Sequence, residues 1–255
     1  HSVAIGNQAG VASTQTSQVL VGSQSGYTDP AFASTAVGFQ SLMMGESAGY
    51  RVTGLGYRAF KNNTVGQNNT GAGYQAGMGN TTTSNNAYFG AYAGDGTAAG
   101  GGYNTALGAF SLTSNLVSGS GYNTCVGARS GLAVTSGSDN TLIGYGAGDT
   151  INSGFDNTAV GYNALQNINT ENGNVAVGHN ALGSAYATIE STCVGSGAGS
   201  AITTGSKNTI LGAYNGNEDG LDIRSLSNRI VLADGDGSVG LYIDNSQDAH
   251  FDGNV

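Results

Sequence analysis

The sequence predicts an all-β chain, a parallel β-roll or solenoid of short coils, and three observations predict it. First, the pattern Asn-Thr-apolar-apolar-Gly returns about every 17 residues, and fixed periods of this size mean stacked supersecondary units. Its anchor glycines are Gly6, Gly22, Gly38, Gly56, Gly73, Gly90, Gly108, Gly127, Gly144, Gly161, Gly178, Gly195 and Gly212, which makes thirteen coils. Second, the chain holds 45 glycines in 255 residues, more than twice the usual share of about 7%, and they are periodic. Third, charged residues make up only 9% and proline occurs once, at Pro30. That composition excludes a collagen-like triplet and a charge-rich disordered chain.

Each position of the coil has its own chemistry. Four residues before the anchor stand Asn69, Asn86, Asn104, Asn123, Asn140, Asn157, Asn174 and Asn208, with Ser2, Ser34 and Ser191 in most other coils. Stacked in register they form an amide ladder. The next position is mostly threonine, a β-branched residue suited to a short strand. Two mainly apolar positions follow, as in Ala159-Val160 and Cys193-Val194. Neighbouring strand residues point to opposite faces, so both faces are expected to be buried. A coil this short makes two short strands and encloses one thin apolar row, and the second face then needs a partner outside the coil. Another copy of the chain is the expected partner, with three copies around one axis covering the faces.

Three residues after the anchor comes alanine or serine in twelve coils, and next either glycine (Gly10, Gly77, Gly148) or a large apolar residue (Leu42, Leu165, Leu182). Small residues let a return strand pack closely. Gly54 and Gly71 replace the usual residue two before the anchor, which predicts looser packing there. The polar loops that complete the coils vary most, and loops of solenoids commonly bind. Past Gly212 the rhythm stops. Arg229 to Ile243 reads as a hairpin turning around Asp234 to Gly237. The organisation is therefore a repeat domain over 1–217 and a transition or hairpin segment over 218–255.

These motifs carry a resemblance. His1-Ser-Val-Ala-Ile-Gly6 resembles the repeat of the left-handed parallel β-roll in trimeric autotransporter adhesin heads. Asn157-Thr-Ala-Val-Gly-Tyr-Asn-Ala-Leu165 and Asn174-Val-Ala-Val-Gly-His-Asn-Ala-Leu182 are similar to longer repeats of bacteriophage tail fibres. Ser227-Asn-Arg-Ile-Val-Leu-Ala-Asp-Gly-Asp-Gly237 is similar to the segment that leads such fibres toward a self-trimming chaperone domain, so an end at Val255 suits a trimmed product. The resemblance covers about residues 1 to 250. It implies a left-handed roll in a homotrimeric adhesive fibre on a virion, which attaches to a bacterial surface carbohydrate or outer-membrane protein. A bacterial cell-surface adhesin head is the alternative.

Other constellations yield to simpler readings. Asp139 and Asp156 share one slot, where adjacent coils hold carboxylates about 5 Å apart, the spacing of a retaining glycosidase. Lys207 occupies the same slot, however, and turn aspartates are common. His179 follows Gly178 and suggests a repeat acyltransferase, but those helices repeat an apolar residue every six positions. Regular threonines suggest ice binding, yet they share a face with the apolar row. Gly71 to Gly77 lacks the βαβ context of a dinucleotide site. Asp234 to Ser238 lacks the sixth-position glycine and twelfth-position glutamate of a calcium loop. No enzyme activity, cofactor or metal is expected, and His1 and His250 suggest no zinc site with the cysteines. Phe39, Tyr57 and Tyr74, and likewise Tyr145 and Tyr162, follow the anchor in successive coils. They are the candidate receptor-binding residues, although rings packing on one another or on a neighbouring chain account for the pattern more simply. Asn104, Asn123, Asn140, Asn157, Asn174 and Asn208 are the structural ladder.

The net charge of −9 argues against nucleic acid. No apolar run approaches the ~18 residues of a membrane span. Cys125 and Cys193 share a repeat position four coils apart, roughly 19 Å at strand spacing, too far for a disulfide.

Overall fold

The computed structural model describes residues 2–11, 17–28, 33–43, 51–96, 101–114 and 121–251; His1 and Pro30 lie outside them. The chain divides into two compact units, His1–Ser136 and Gly137–Val255. Among the described residues there is no helix. Each unit is a parallel β-solenoid.

In the first unit β1 (Val3–Ile5), β2 (Val19–Val21), β3 (Thr35–Val37), β4 (Thr53–Leu55), β5 (Thr70–Ala72), β6 (Ala87–Phe89), β7 (Thr105–Leu107) and β8 (Thr124–Val126) pair successively in parallel. In the second, β9 (Thr141–Ile143), β10 (Thr158–Val160), β11 (Val175–Val177), β12 (Thr192–Val194) and β13 (Thr209–Leu211) do the same. Residues of one slot face each other throughout, as in Ala159 opposite Ala176. Among the described residues each coil contains one three-residue strand, not the two expected from sequence. The remainder is turn.

The reason lies in left-handed backbone. Five residues before the anchor, two after it and four after it, φ is positive: Asp156, Asn163 and Leu165 have φ of 56°, 53° and 51°. Those kinks turn the chain too often for a second strand to run. Coil-to-coil hydrogen bonding nevertheless continues through the turns. Asn163 N donates to Tyr145 O at 2.9 Å and Leu165 N to Ala181 O at 3.0 Å, so turn backbone is satisfied as strand backbone is.

Three inward rows fill each coil. The middle strand residue is buried everywhere from Leu20 to Ile210 in the described coils, and so is the small residue three after the anchor, such as Ala164. Where that small residue is serine its hydroxyl reaches the next coil, as when Ser111 Oγ donates to Cys125 O at 3.0 Å. In the second unit Ile151, Ile168, Ala185 and Ile202, seven after the anchor, form the third row, all fully buried.

The first row and the residue six positions later share one space. Leu20 stands with Gly26, Tyr88 with Gly94 and Leu142 with Gly148, whereas Ala106 stands with Leu112, Ala159 with Leu165 and Ala176 with Leu182. A Cβ on Gly148 would press into the Leu142 methyls. Large pairs with small in these coils, and where both are small, as at Cys193 with Gly199, Leu182 of the preceding coil also fills the space. Gly54 and Gly71 are explained in the same way. The Phe60 ring fills the place of a side chain at Gly71, while Ser41 and Leu42 crowd Gly54. Packing at these coils is close, contrary to the looser packing expected from sequence.

After β13 come the two-residue strands β14 (Asn217–Glu218) and β15 (Leu221–Asp222), paired antiparallel. Next, β16 (Ile230–Ala233) pairs in parallel with β13, Ile210 facing Val231. One more rung thus lies beyond residue 217, after a longer excursion. β17 (Val239–Ile243) runs antiparallel to β16, and β18 (Ala249–Phe251) antiparallel to β17. Asp234 Oδ1 accepts hydrogen bonds from Asp236 N and Ser238 N, and Asp244 Oδ1 accepts from Ser246 N and Asp248 N. Both carboxylates serve to close turns.

The shared-space packing makes a prediction. Leu142→Ala should cost about 3 kcal/mol in equilibrium denaturation, and adding Gly148→Leu, which copies the Ala159–Leu165 arrangement, should recover at least half of that loss. Losses that merely add would show that the two positions do not share a space.

Candidate surface for binding and assembly

The buried asparagines fix the register on which any surface feature rests. Asn157 N donates to Asn140 Oδ1 at 3.1 Å, Asn174 N to Asn157 Oδ1 at 3.1 Å and Ser191 N to Asn174 Oδ1 at 3.1 Å. The serine slots into the same scheme, since Asn208 N donates to Ser191 Oγ at 3.1 Å. In the first unit Asn104 N donates to Asn86 Oδ1 at 2.9 Å and Asn123 N to Asn104 Oδ1 at 3.0 Å. The side-chain amide meanwhile turns to its own loop, Asn140 Nδ2 to Gly154 O at 2.8 Å and Asn174 Nδ2 to Thr188 O at 2.7 Å. The ladder therefore joins backbone N–H to side-chain oxygen at each of these rungs, and side-chain amides add to it where Asn157 Nδ2 donates to Asn140 Oδ1 at 3.1 Å and Asn86 Nδ2 to Asn69 Oδ1 at 3.1 Å. It compensates a strand N–H that the left-handed residue before it turns out of the regular pairing.

The outer face of the strands is open. Whereas the middle residue is buried, the residue just before the anchor is exposed, with Ile5 at 60%, Leu107 at 49% and Val37 at 37%. Val21, Val126, Val160 and Val177 are half-buried, and so are Thr124 and Thr158 beside two of them. Within a single chain, the expected burial of both faces holds for only one. What remains is a row with at least one apolar side chain per coil, running along each unit.

The predicted receptor residues form stacks. Phe39 and Tyr57 lie 5.5 Å apart between centroids and 13° between planes, and Tyr57 and Tyr74 lie 5.0 Å and 7° apart. Tyr92, one position further from its anchor, meets Tyr74 edge-on at 64° and stacks in turn with Phe110 at 12°. In the second unit Tyr145, Tyr162 and His179 stack at 5.3 Å per step. Within the stacked pairs faces are covered by neighbouring rings, and edges and hydroxyls meet water. The strand spacing itself sets the interval. His179 takes the place of a third aromatic ring in this row.

Sequence reasoning missed two further ladders. Gln24 Nε2 donates to Gln8 Oε1 at 3.1 Å, Gln40 Nε2 to Gln24 Oε1 at 2.7 Å, and Arg58 Nε to Gln40 Oε1 at 2.9 Å, with the Arg58 guanidinium 4.9 Å from the Tyr57 ring. Tyr103 and Tyr122 stack at 5.1 Å in the slot five before the anchor. Both were signalled by equal side chains at equal slots. The same slot holds Asp139, Asp156, Glu190 and Lys207, all with positive φ. Aspartate tolerates that conformation well, which accounts for the paired carboxylates without chemistry.

Burial pushes the Cys125 thiol up to about 12 and raises that of Cys193 as well. Neither is a ready thiolate. Asp95 is raised to about 6, chiefly by burial and against a lowering hydrogen bond from the Gly79 backbone. Among the described residues, no group of three His, Cys, Asp or Glu side chains could hold a metal ion, and no helix is long and apolar enough to cross a membrane. No protein family, curated protein or solved structure matches the chain.

Removing one rung of the ladder should be costly. Asn157→Ala leaves buried backbone groups unpaired and is expected to lower stability by about 2–4 kcal/mol, since each such group costs roughly 1–3 kcal/mol. Asn157→Ser keeps an acceptor, as Ser191 does, and should cost less than half as much by denaturant titration. Equal losses for the two would remove the ladder's claimed role.

Proposed function

We propose that the chain is a structural and adhesive fibre protein: a homotrimeric, left-handed β-roll that attaches a virion to a bacterial surface carbohydrate or protein. The observation that carries this reading is the open apolar row. The core is filled by the chain's own inward rows, so the exposed Ile5, Val37, Leu55, Leu107, Ile143 and Leu211 contribute nothing to it. A row that recurs at every coil matches a surface that recurs at every coil, and another copy of the same solenoid offers one. Three copies would cover the rows and leave aromatic edges and polar loops outward. The threefold repetition would then multiply weak contacts with a surface polymer.

The fibre repeats quoted above support a virion, and the adhesin-like repeat supports a bacterial cell-surface head as the alternative. An enzymatic reading through Asp139 and Asp156 is less favoured, because Lys207 and Glu190 fill the same turn slot.

Sedimentation equilibrium tests the reading. The expected mass is three times the 25.3 kDa of the chain, and Val160→Glu with Val177→Glu should give folded monomers. A monodisperse wild-type monomer would refute the assembly. Loss of binding to intact bacteria on monomerisation, with the wild type retained on the cells, is the outcome expected for attachment.

A further inference from the structure

The second unit contains a charged group that its own fold leaves unanswered. Arg229 stands in the slot that asparagine fills in preceding coils, and its backbone N donates to Asn208 Oδ1 at 2.9 Å. Its side chain is accordingly drawn in, and the residue is only 9% exposed. An asparagine there spends its amide on a loop carbonyl. The guanidinium does so with Nη1 alone, which donates to Ser227 O at 2.7 Å and Asn228 O at 3.4 Å. Nε is buried without an acceptor. Among the described residues, no carboxylate pairs with this guanidinium. A cation so enclosed and without a counter-charge is destabilising, and the orphaned Nε–H adds to that.

Beside it opens a cleft of about 440 Å³, lined by Lys207, Thr209, Asn228, Arg229, Ile230, Ile243 and Gln247 among others. The volume lies within the range of small-molecule sites, and so does the mixture of apolar walls with a few polar groups. Asp244 also lines the cleft, but its carboxylate is engaged by Ser246 N and Asp248 N and stands 3.3 Å from His250. Lys207 is held only by an exposed pair with Glu190 at 3.6 Å, worth little in water, so its ammonium is available to a ligand.

We infer that this cleft binds an oxyanion-bearing sugar, its carboxylate or phosphate meeting Arg229 and Lys207 and its ring lying against Ile230 and Ile243. The planar fork of arginine suits either group. The chain's net charge of −9 opposes general anion attraction, so saturable binding here reports the local pair. The source of the ligand, an acidic surface polysaccharide, rests on the attachment reading above. The site itself does not, but Thr209 and Ile230 belong to the outward strand face, so it requires an assembly that leaves this last rung uncovered.

Thermal unfolding and calorimetry of the full chain with sodium glucuronate, inorganic phosphate or glucose, at matched ionic strength, test this. Glucuronate or phosphate should bind saturably and raise the unfolding temperature, and whichever binds tighter identifies the group; glucose should do neither. Arg229→Met should weaken that binding at least about tenfold while unfolding no earlier than wild type in buffer alone. Lys207→Gln, at an exposed position, gives a second variant with a several-fold weaker response. The inference falls if neither anion shifts unfolding, if the shift survives Arg229→Met, or if that variant instead changes the sedimentation mass, which would give Arg229 to a contact between copies. Glucuronate binding by a protein that fails to attach to cells would uphold the site and refute the attachment reading.

Discussion

At every anchor glycine, from Gly6 to Gly212, the backbone takes a φ between +112° and +145°. Side chains other than hydrogen are nearly excluded from that region. At Gly161 the carbonyl of the next anchor, Gly178, occupies the space where a Cβ would project. Glycine therefore meets two demands at once, a backbone turn and a close approach between coils. Register follows from it, because a coil displaced by one residue would bring a side chain against that carbonyl. The ladders of asparagine, glutamine and aromatic rings all inherit their spacing from this contact.

Given that register, the interior divides its volume by position. Leu142 with Gly148 and Ala159 with Leu165 are two solutions to one constraint, and Phe60 shows that a ring can serve a coil whose middle strand residue is Gly54. The asparagine slot couples the strand to its own loop, so loops of different sequence end on a common geometry. The outer apolar row is the one element that this interior leaves unused, and it is the basis for proposing assembly. Arg229 is the parallel case among charges.

Much of this was legible in the sequence because identical slots carry identical chemistry. The period of the anchors gave the parallel stack, and the asparagine column gave the ladder, although which atoms bond was hidden until the left-handed residue before each asparagine was known. That conformation is invisible where Tyr103, Glu190 or Lys207 adopts it, since none of these residue types announces it. For the same reason two strands per coil were expected where one forms. The glycines at 54 and 71 misled because volume was judged one slot at a time, and the compensating Phe60 lies in another. Stacking of Tyr145 on Tyr162 followed directly from the period, but what the ring edges touch is set by a partner that no intrachain pattern encodes.

The central claim is that stacked anchors, rather than left-handed glycine in general, hold the coils together, and two substitutions in one unit separate these ideas. Gly173 also has positive φ, but its Cβ would make only ordinary contact with Glu190, nearest at Cγ 3.4 Å away, and Asp139 and Asp156 occupy its slot in other coils. Denaturant titration should show Gly161→Ala losing more than about 3 kcal/mol and Gly173→Asn losing less than about 1 kcal/mol. Comparable losses at the two positions, or a Gly161→Ala protein as stable as wild type, would contradict the account.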